Sequence, residues 1–208
     1  LEYAIAVWRE KHPGNQDTFT TTWFPFYLNP DAPKQGIDKK AYFQKRFGPD
    51  RTVMMQSRLA MIGKSVDIDF KFGGKTGNTR DSHRLVQLGK KHGPEKQTRV
   101  IEELFKAYFE NEKDITSHEV LTQLGHDAGL DLAEVEGWLA SDNGGPEVDR
   151  EVQQAKSKFI SGVPSFTIND RYHLEGAEDP SAFLEIFETI SDSNNQLAQE
   201  TRSTAEVC

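Results

Sequence analysis

A single cysteine, Cys208, limits what this chain can do with sulfur. One thiol makes no internal disulfide, and there is no Cys-x-x-Cys, no zinc-ligand spacing and no Cys-centred dyad. His126 and Asp127 are neighbours on one predicted helix, so they point to different faces and form no ready catalytic pair. Gly73-Gly74-Lys75-Thr76-Gly77 looks like a phosphate loop. It lacks the G-x-x-x-x-G-K spacing, and no strongly hydrophobic strand leads into it, so it reads as a flexible turn. The stretch that stands out is a backbone motif, Ser161-Gly162-Val163-Pro164-Ser165-Phe166. Pro164 donates no hydrogen bond, so it marks the first position or the edge of a strand.

The elements around that motif follow from local pattern. Phe166 and Ile168 alternate with Ser165 and Thr167, the period of a strand with one buried face. Asn169-Asp170 suits a two-residue hairpin turn, because both residues tolerate positive φ. Gly176 lets the chain bend before Pro180 opens a last helix.

Upstream, Leu1, Ile5 and Trp8 share one helical stripe with Ala4 beside it, and His12-Pro13-Gly14 ends that helix. Phe19, Thr21 and Trp23 alternate between Asp17 and Phe24, which predicts a strand stopped by Pro25. An aromatic loop follows, Phe26-Tyr27-Leu28-Asn29-Pro30. Asp38 caps a helix to Phe47, and a second runs from Asp50 to Gly63 with Met54, Met55 and Met61 expected in the core or lining an adaptable pocket. Val66 to Phe72 alternates weakly as a short strand. Asn78 caps a helix to Gly89, with Thr79 to Arg84 in its first turns. Further helices begin at Pro94, at Thr116 or Ser117, at Asp131 and at Pro146.

Composition sets the frame for all of this. The 208 residues are 36% hydrophobic and 28% charged, as in an ordinary globular protein, and no apolar run approaches the ~20 residues of a membrane helix. A net charge of −8 argues against a nucleic-acid phosphate backbone as partner. Residues 191–208 are polar, with few apolar anchors, and are expected to be a disordered tail or a frayed end of the last helix. An acidic composition without disulfides favours the cytoplasm.

Four segments, in order, resemble the DsbA-like thioredoxin-fold family, and most closely its FrnE-like branch. They are Trp23-Phe24-Pro25-Phe26-Tyr27-Leu28-Asn29-Pro30, Asn78-Thr79-Arg80-Asp81-Ser82-His83-Arg84-Leu85, Leu104-Phe105-Lys106-Ala107-Tyr108-Phe109, and Ser161 to Phe166 with Gly176-Ala177-Glu178. That branch neighbours the 2-hydroxychromene-2-carboxylate isomerases and the kappa-class glutathione transferases. The resemblance implies an α/β thioredoxin-like fold with a large all-helical insertion. Residues 1–30 and 145–190 would form the thioredoxin-like part and 31–144 the insertion.

The function it implies is thiol–disulfide exchange. Val163-Pro164 would be the cis-proline loop, whose backbone receives a thiol- or disulfide-containing peptide, or glutathione, as an added strand. Asn78, Thr79 and His83 would lie at an insertion-helix N-terminus facing the same cleft, where a carboxylate or thiolate is favoured. Asn78 reads equally as a plain N-cap, and His83 equally as a packing histidine. The family's first strand and its Cys-x-x-Cys do not occur in these residues, so no catalytic residue is assigned, and the expectation is a truncated body of a redox enzyme. Two alternatives stay open: a glutathione-dependent isomerase or transferase, and a non-catalytic domain binding thiol peptides or glutathione. Neither a metal nor a resident cofactor is expected, glutathione entering only as substrate or co-substrate; a homodimer is compatible with all three readings.

Overall fold

A computed structural model describes residues 1–205, with side chains described through Asn194 and at Gln196. In chain order the elements are α1 (Glu2–Lys11), β1 (Ile37–Asp38), α2 (Lys39–Phe47), α3 (Pro49–Lys64), β2 (Lys75–Thr76), α4 (Arg80–Lys91) and α5 (Pro94–Phe105). A π-helical turn at Lys106–Glu110 follows, then α6 (His118–Asp127), α7 (Leu132–Ala140), α8 (Gly145–Ser157), β3 (Ser165–Ile168), β4 (Tyr172–Glu175) and α9 (Pro180–Ala205). They divide into two compact units. One joins Leu1–Phe19 to the chain from Ile160 onward; the other is Thr20–Phe159, so residues 20–30 and 145–159 cluster with the insertion helices.

The first unit is a β-hairpin on two helices. Ala4 and Trp8 of α1 sit one turn apart and are buried against Phe183 and Phe187 of α9, which are also one turn apart. Phe166, Ile168 and Leu174 close the cluster from one face of the hairpin, with the Phe166 ring edge-on to Phe183 at 5.0 Å. The register pairs Phe166 with Leu174 and Ile168 with Tyr172. Asn169 and Asp170 have φ of 49° and 54°, so both central residues of the turn are left-handed, as the sequence predicts. The stretch expected to be a disordered tail or a frayed end of the last helix is, through Ala205, a continuation of α9; residues 206–208 lie outside the described residues. Gln196 to Arg202 consists mostly of strong helix formers, which outweigh the Ser and Asn residues before them.

The second unit is built around α4. Leu85, Val86 and Leu88 are buried with Val100 and Leu104 of α5, Leu121 and Leu124 of α6, and Val135 and Leu139 of α7. Gly125 lets α6 and α7 approach closely, since a Cβ there would meet Val135 Cγ2 at 2.9 Å. Asp38 and Asp131 cap α2 and α7, accepting from the Ala41 and Glu134 N–H groups at 2.7 and 2.9 Å.

Three sequence expectations need correction. Asp17 to Phe24 is not a strand, because among the described residues no neighbouring strand bonds to it. The buried Gln97 amide takes that place: Trp23 N–H donates to Gln97 Oε1 at 3.0 Å, and Gln97 Nε2 donates to Trp23 C=O at 2.8 Å. Val66 to Phe72 is likewise no strand; its backbone makes single bonds, such as Lys71 N–H to Phe109 C=O at 2.7 Å. Met54, Met55 and Met61 are exposed and lie outside the core, because the buried residues of α3 are Thr52 and Gly63.

Candidate functional site

The expected site residues fall in both units, Val163 and Pro164 in the first and Asn78, Thr79 and His83 in the second. In the first unit the Val163–Pro164 peptide bond is cis. Gly176 N–H donates to Pro164 C=O at 2.8 Å, which extends the hairpin ladder one step beyond the Ser165–Glu175 pair. Val163 then leaves the ladder. Its side chain is half-exposed, and its N–H and C=O enter no hydrogen bond among the described residues. The edge of β3 away from β4 also bonds no further strand among the described residues. Backbone groups open in this way are a template for pairing with an extended peptide.

In the second unit the start of α4 is tied down by its own residues. Asn78 Oδ1 accepts from Arg80 N–H at 2.9 Å, and Asn78 N–H donates to Pro33 C=O at 2.8 Å. Asn78 therefore fastens the 30–33 loop to α4, with Thr79 taking the cap position itself. Thr79 C=O accepts from His83 N–H at 3.0 Å and lies 2.7 Å from His83 Nδ1. A carbonyl only accepts, so Nδ1 carries the proton and Nε2 keeps its lone pair. His83 Nε2 makes no hydrogen bond among the described residues. Burial lowers the His83 pKa below the ordinary histidine value, against a smaller opposite effect of the Thr79 carbonyl. The ring is thus a neutral imidazole whose Nε2 lone pair can accept a hydrogen bond.

Around His83 lies a network that the sequence reading did not single out. The Tyr27 ring stands edge-on to His83 at 5.5 Å, and its hydroxyl donates to Asp149 Oδ1 at 3.2 Å. Burial first, and then the Asp149 carboxylate, raise the Tyr27 pKa above the ordinary phenol value, so the hydroxyl keeps its proton. Arg80 forks onto Asp149 through Nε and Nη2 and reaches Asp142 through Nη1 at 2.6 Å. The Arg84 guanidinium, almost wholly buried, donates to Asp81 Oδ1 at 2.8 Å and to the carbonyls of Asn143, Trp138 and Ser141. The Trp138 and Ser141 carbonyls are the open acceptors at the C-terminus of α7, where a cation is electrostatically favoured. Asp81 also takes a hydrogen bond from His118 at 2.8 Å. Burial raises the Asp81 carboxyl, but the bonds from Arg84 and His118 outweigh it and hold the group below the usual carboxylate range.

Sequence distance explains why these were missed. Tyr27 and Asp149 are 122 residues apart, and Arg80 and Asp149 are 69 apart. Arg84 carried one usable signal: it directly precedes the apolar run Leu85-Val86, on a helix otherwise rich in charge.

A hairpin preceded by an open Val163-Pro164 corner, with a helical unit inserted ahead of it, is the plan of a thioredoxin-type protein carrying a helical insertion. The model of the DSBA-like thioredoxin domain matches residues 2–188, and the chain belongs to that family. Among solved structures it is similar to a Streptomyces coelicolor protein assigned as a DsbA oxidoreductase. The TM-score is 0.71 at 23% identity, over 77% of this chain and 70% of that one. It is also similar to a Nitrosomonas europaea protein assigned as a protein disulfide isomerase, with a TM-score of 0.58 and 17% identity, over 70% of this chain and 76% of that one. At these identities the likeness speaks for the fold. No curated protein matches the chain by sequence. Among the described residues, no helix is long and apolar enough to cross a membrane.

Proposed function

We propose that these residues form the substrate-binding body of a thiol–disulfide oxidoreductase of the FrnE-like branch, acting in the cytoplasm on cysteine-containing peptides. The observation that carries this reading is the Val163 backbone, whose N–H and C=O have no hydrogen-bond partner among the described residues, at the corner of the hairpin. An extended peptide pairs there as a short antiparallel strand, its own N–H and C=O completing the two bonds. Family membership over residues 2–188 supports disulfide chemistry as the purpose of that edge. Asn78, Thr79 and His83 would contribute at the α4 start, His83 through its open Nε2 acceptor. Exchange itself needs a thiol pair, and residues 1–208 contain Cys208 alone, so the proposal for these residues is binding and orientation, with the exchanging pair supplied from outside them.

The test is calorimetric titration with a short peptide containing an S-methylated cysteine, beside its analogue N-methylated at the residue meant to pair with Val163. Losing one backbone donor costs about 1 kcal/mol or somewhat more, so the N-methyl peptide should bind about 5–10-fold more weakly. Equal affinities would sink the strand-addition reading. Binding of glutathione without binding of either peptide would favour a glutathione-dependent isomerase or transferase instead.

A further inference from the structure

Four side chains from three segments close a ring beside the start of α4. His83 and Arg80 are three residues apart on that helix, so they are neighbours on its surface. Arg80 reaches Asp149 of α8, with Nε 3.2 Å from both carboxylate oxygens and Nη2 3.0 Å from Oδ2. Asp149 Oδ1 accepts from the Tyr27 hydroxyl at 3.2 Å, and the Tyr27 ring returns to His83, edge-on at 5.5 Å. The Tyr27 hydroxyl makes no other hydrogen bond among the described residues.

We propose that Asp149 is a positioning residue for His83 and acts through Tyr27, whose ring it holds against the imidazole. A tyrosine side chain turns about two torsions only, so fixing its hydroxyl at one end fixes where the ring lies at the other. Asp149 is fixed in turn. The Arg80 fork is planar and bidentate, and it springs from the helix that carries His83, so the carboxylate keeps its place relative to the imidazole. The neighbouring charged groups are occupied with one another. Arg80 is taken by Asp142 and Asp149, and Asp81 is shared between Arg84 and His118 of α6. Among the described residues the imidazole itself bonds only to the Thr79 carbonyl. The Tyr27 edge is the aromatic contact on its ring, so the burial that keeps His83 neutral depends on where Tyr27 is held.

The sign of a titration shift separates this role from a direct charge effect. Taking a carboxylate away from an imidazole lowers the imidazole pKa, because the cation loses a favourable neighbour. Opening the imidazole to water raises a pKa that burial had lowered. The experiment is a proton–nitrogen NMR titration of the imidazole groups in residues 1–208, with the His83 signals identified by their loss in His83→Gln. Asp149→Ala should raise the His83 pKa toward its ordinary value of about 6.5. Tyr27→Phe keeps the ring but not the hydroxyl and should raise it to the same extent. Adding Asp149→Ala to Tyr27→Phe should bring no further rise, as for two residues acting in one chain of contacts. Circular dichroism melting checks that each variant stays folded, as expected for a carboxylate 52% exposed and a tyrosine that keeps its ring. A His83 pKa that falls or does not move in Asp149→Ala would overturn the proposal and leave Asp149 as a partner of Arg80 alone. So would a second full rise in the double variant. The value of this arrangement to a ligand rests on His83 serving the proposed site. The titration is read without peptide, so a failure of the ring contact and a failure of peptide binding are told apart.

Discussion

Replacing Arg84 with methionine tests the account of the second unit at its centre. The guanidinium is 3% exposed and bonds to one carboxylate and three carbonyls. Methionine fills much of the same volume but leaves the Trp138, Ser141 and Asn143 carbonyls without that donor. It also leaves Asp81 with His118 alone. Breaking a buried, hydrogen-bonded charge in this way costs about 3–5 kcal/mol. For a chain of this length each kcal/mol moves the melting point by roughly 2–4 °C, so the loss should be about 6–20 °C. Arg84→Lys keeps the charge but offers a compact ammonium in place of a planar fork, and should recover only about half of the stability. Urea titration followed by tryptophan fluorescence reports the change, since Trp138 donates its indole N–H to the Arg84 carbonyl at 2.9 Å. A loss below about 1 kcal/mol for Arg84→Met, within the range of ordinary surface changes, would refute the reasoning. So would an Arg84→Lys variant as stable as the parent.

Gln97→Glu keeps the shape of the residue that grips Trp23 but turns one donor into an acceptor facing a carbonyl. The protein should lose about 2 kcal/mol at neutral pH. Burial raises the new carboxyl in the folded state, so the loss sets in above about pH 4.3, the unfolded value, and is complete above the raised folded value. Urea midpoints across that range, compared with the parent, check this; a pH-independent deficit would contradict it. His83 shifts the other way. Its folded pKa lies below the ordinary 6.5, so the unfolded chain takes up a proton first, and stability should fall as pH drops from 6.5 toward the folded value. His83→Gln should flatten that part of the stability–pH curve, and an unchanged slope would show that the imidazole is not held neutral.

What could be read from sequence was what neighbouring residues decide among themselves. The β3–β4 hairpin rests on Phe166 and Ile168 alternating with Ser165 and Thr167, and on a turn pair that accepts positive φ, all within eleven residues. The Asp38 and Asp131 caps are equally local, since each side chain reaches a backbone N–H three residues on. Asp17 to Phe24 shows the limit. Alternation reports which side chains share a face, but a strand also requires a partner, and the partner of Trp23 is a glutamine 74 residues away. The methionines of α3 show a second limit: Met54, Met55 and Met61 are apolar by type, but residue type does not say which side of the helix the rest of the chain packs against, and all three are exposed. The position of Asn78, Thr79 and His83 on one helix start was legible, whereas the surrounding Tyr27, Arg80 and Asp149 were not, since their pairing depends on how the helices pack.

The glutamine that holds Trp23 has a mechanical consequence. A strand in a ladder can fray one bond at a time, and each lost bond leaves its neighbours engaged. Here both backbone bonds of Trp23 end on one side-chain amide, so a single rotation of the Gln97 side chain releases them together. The Trp23 indole bond to Thr98 Oγ1, at 3.1 Å, anchors to the next residue of the same helix. The approach to the aromatic loop that carries Tyr27 is therefore fastened through the side chains of two successive residues of one helix, Gln97 and Thr98.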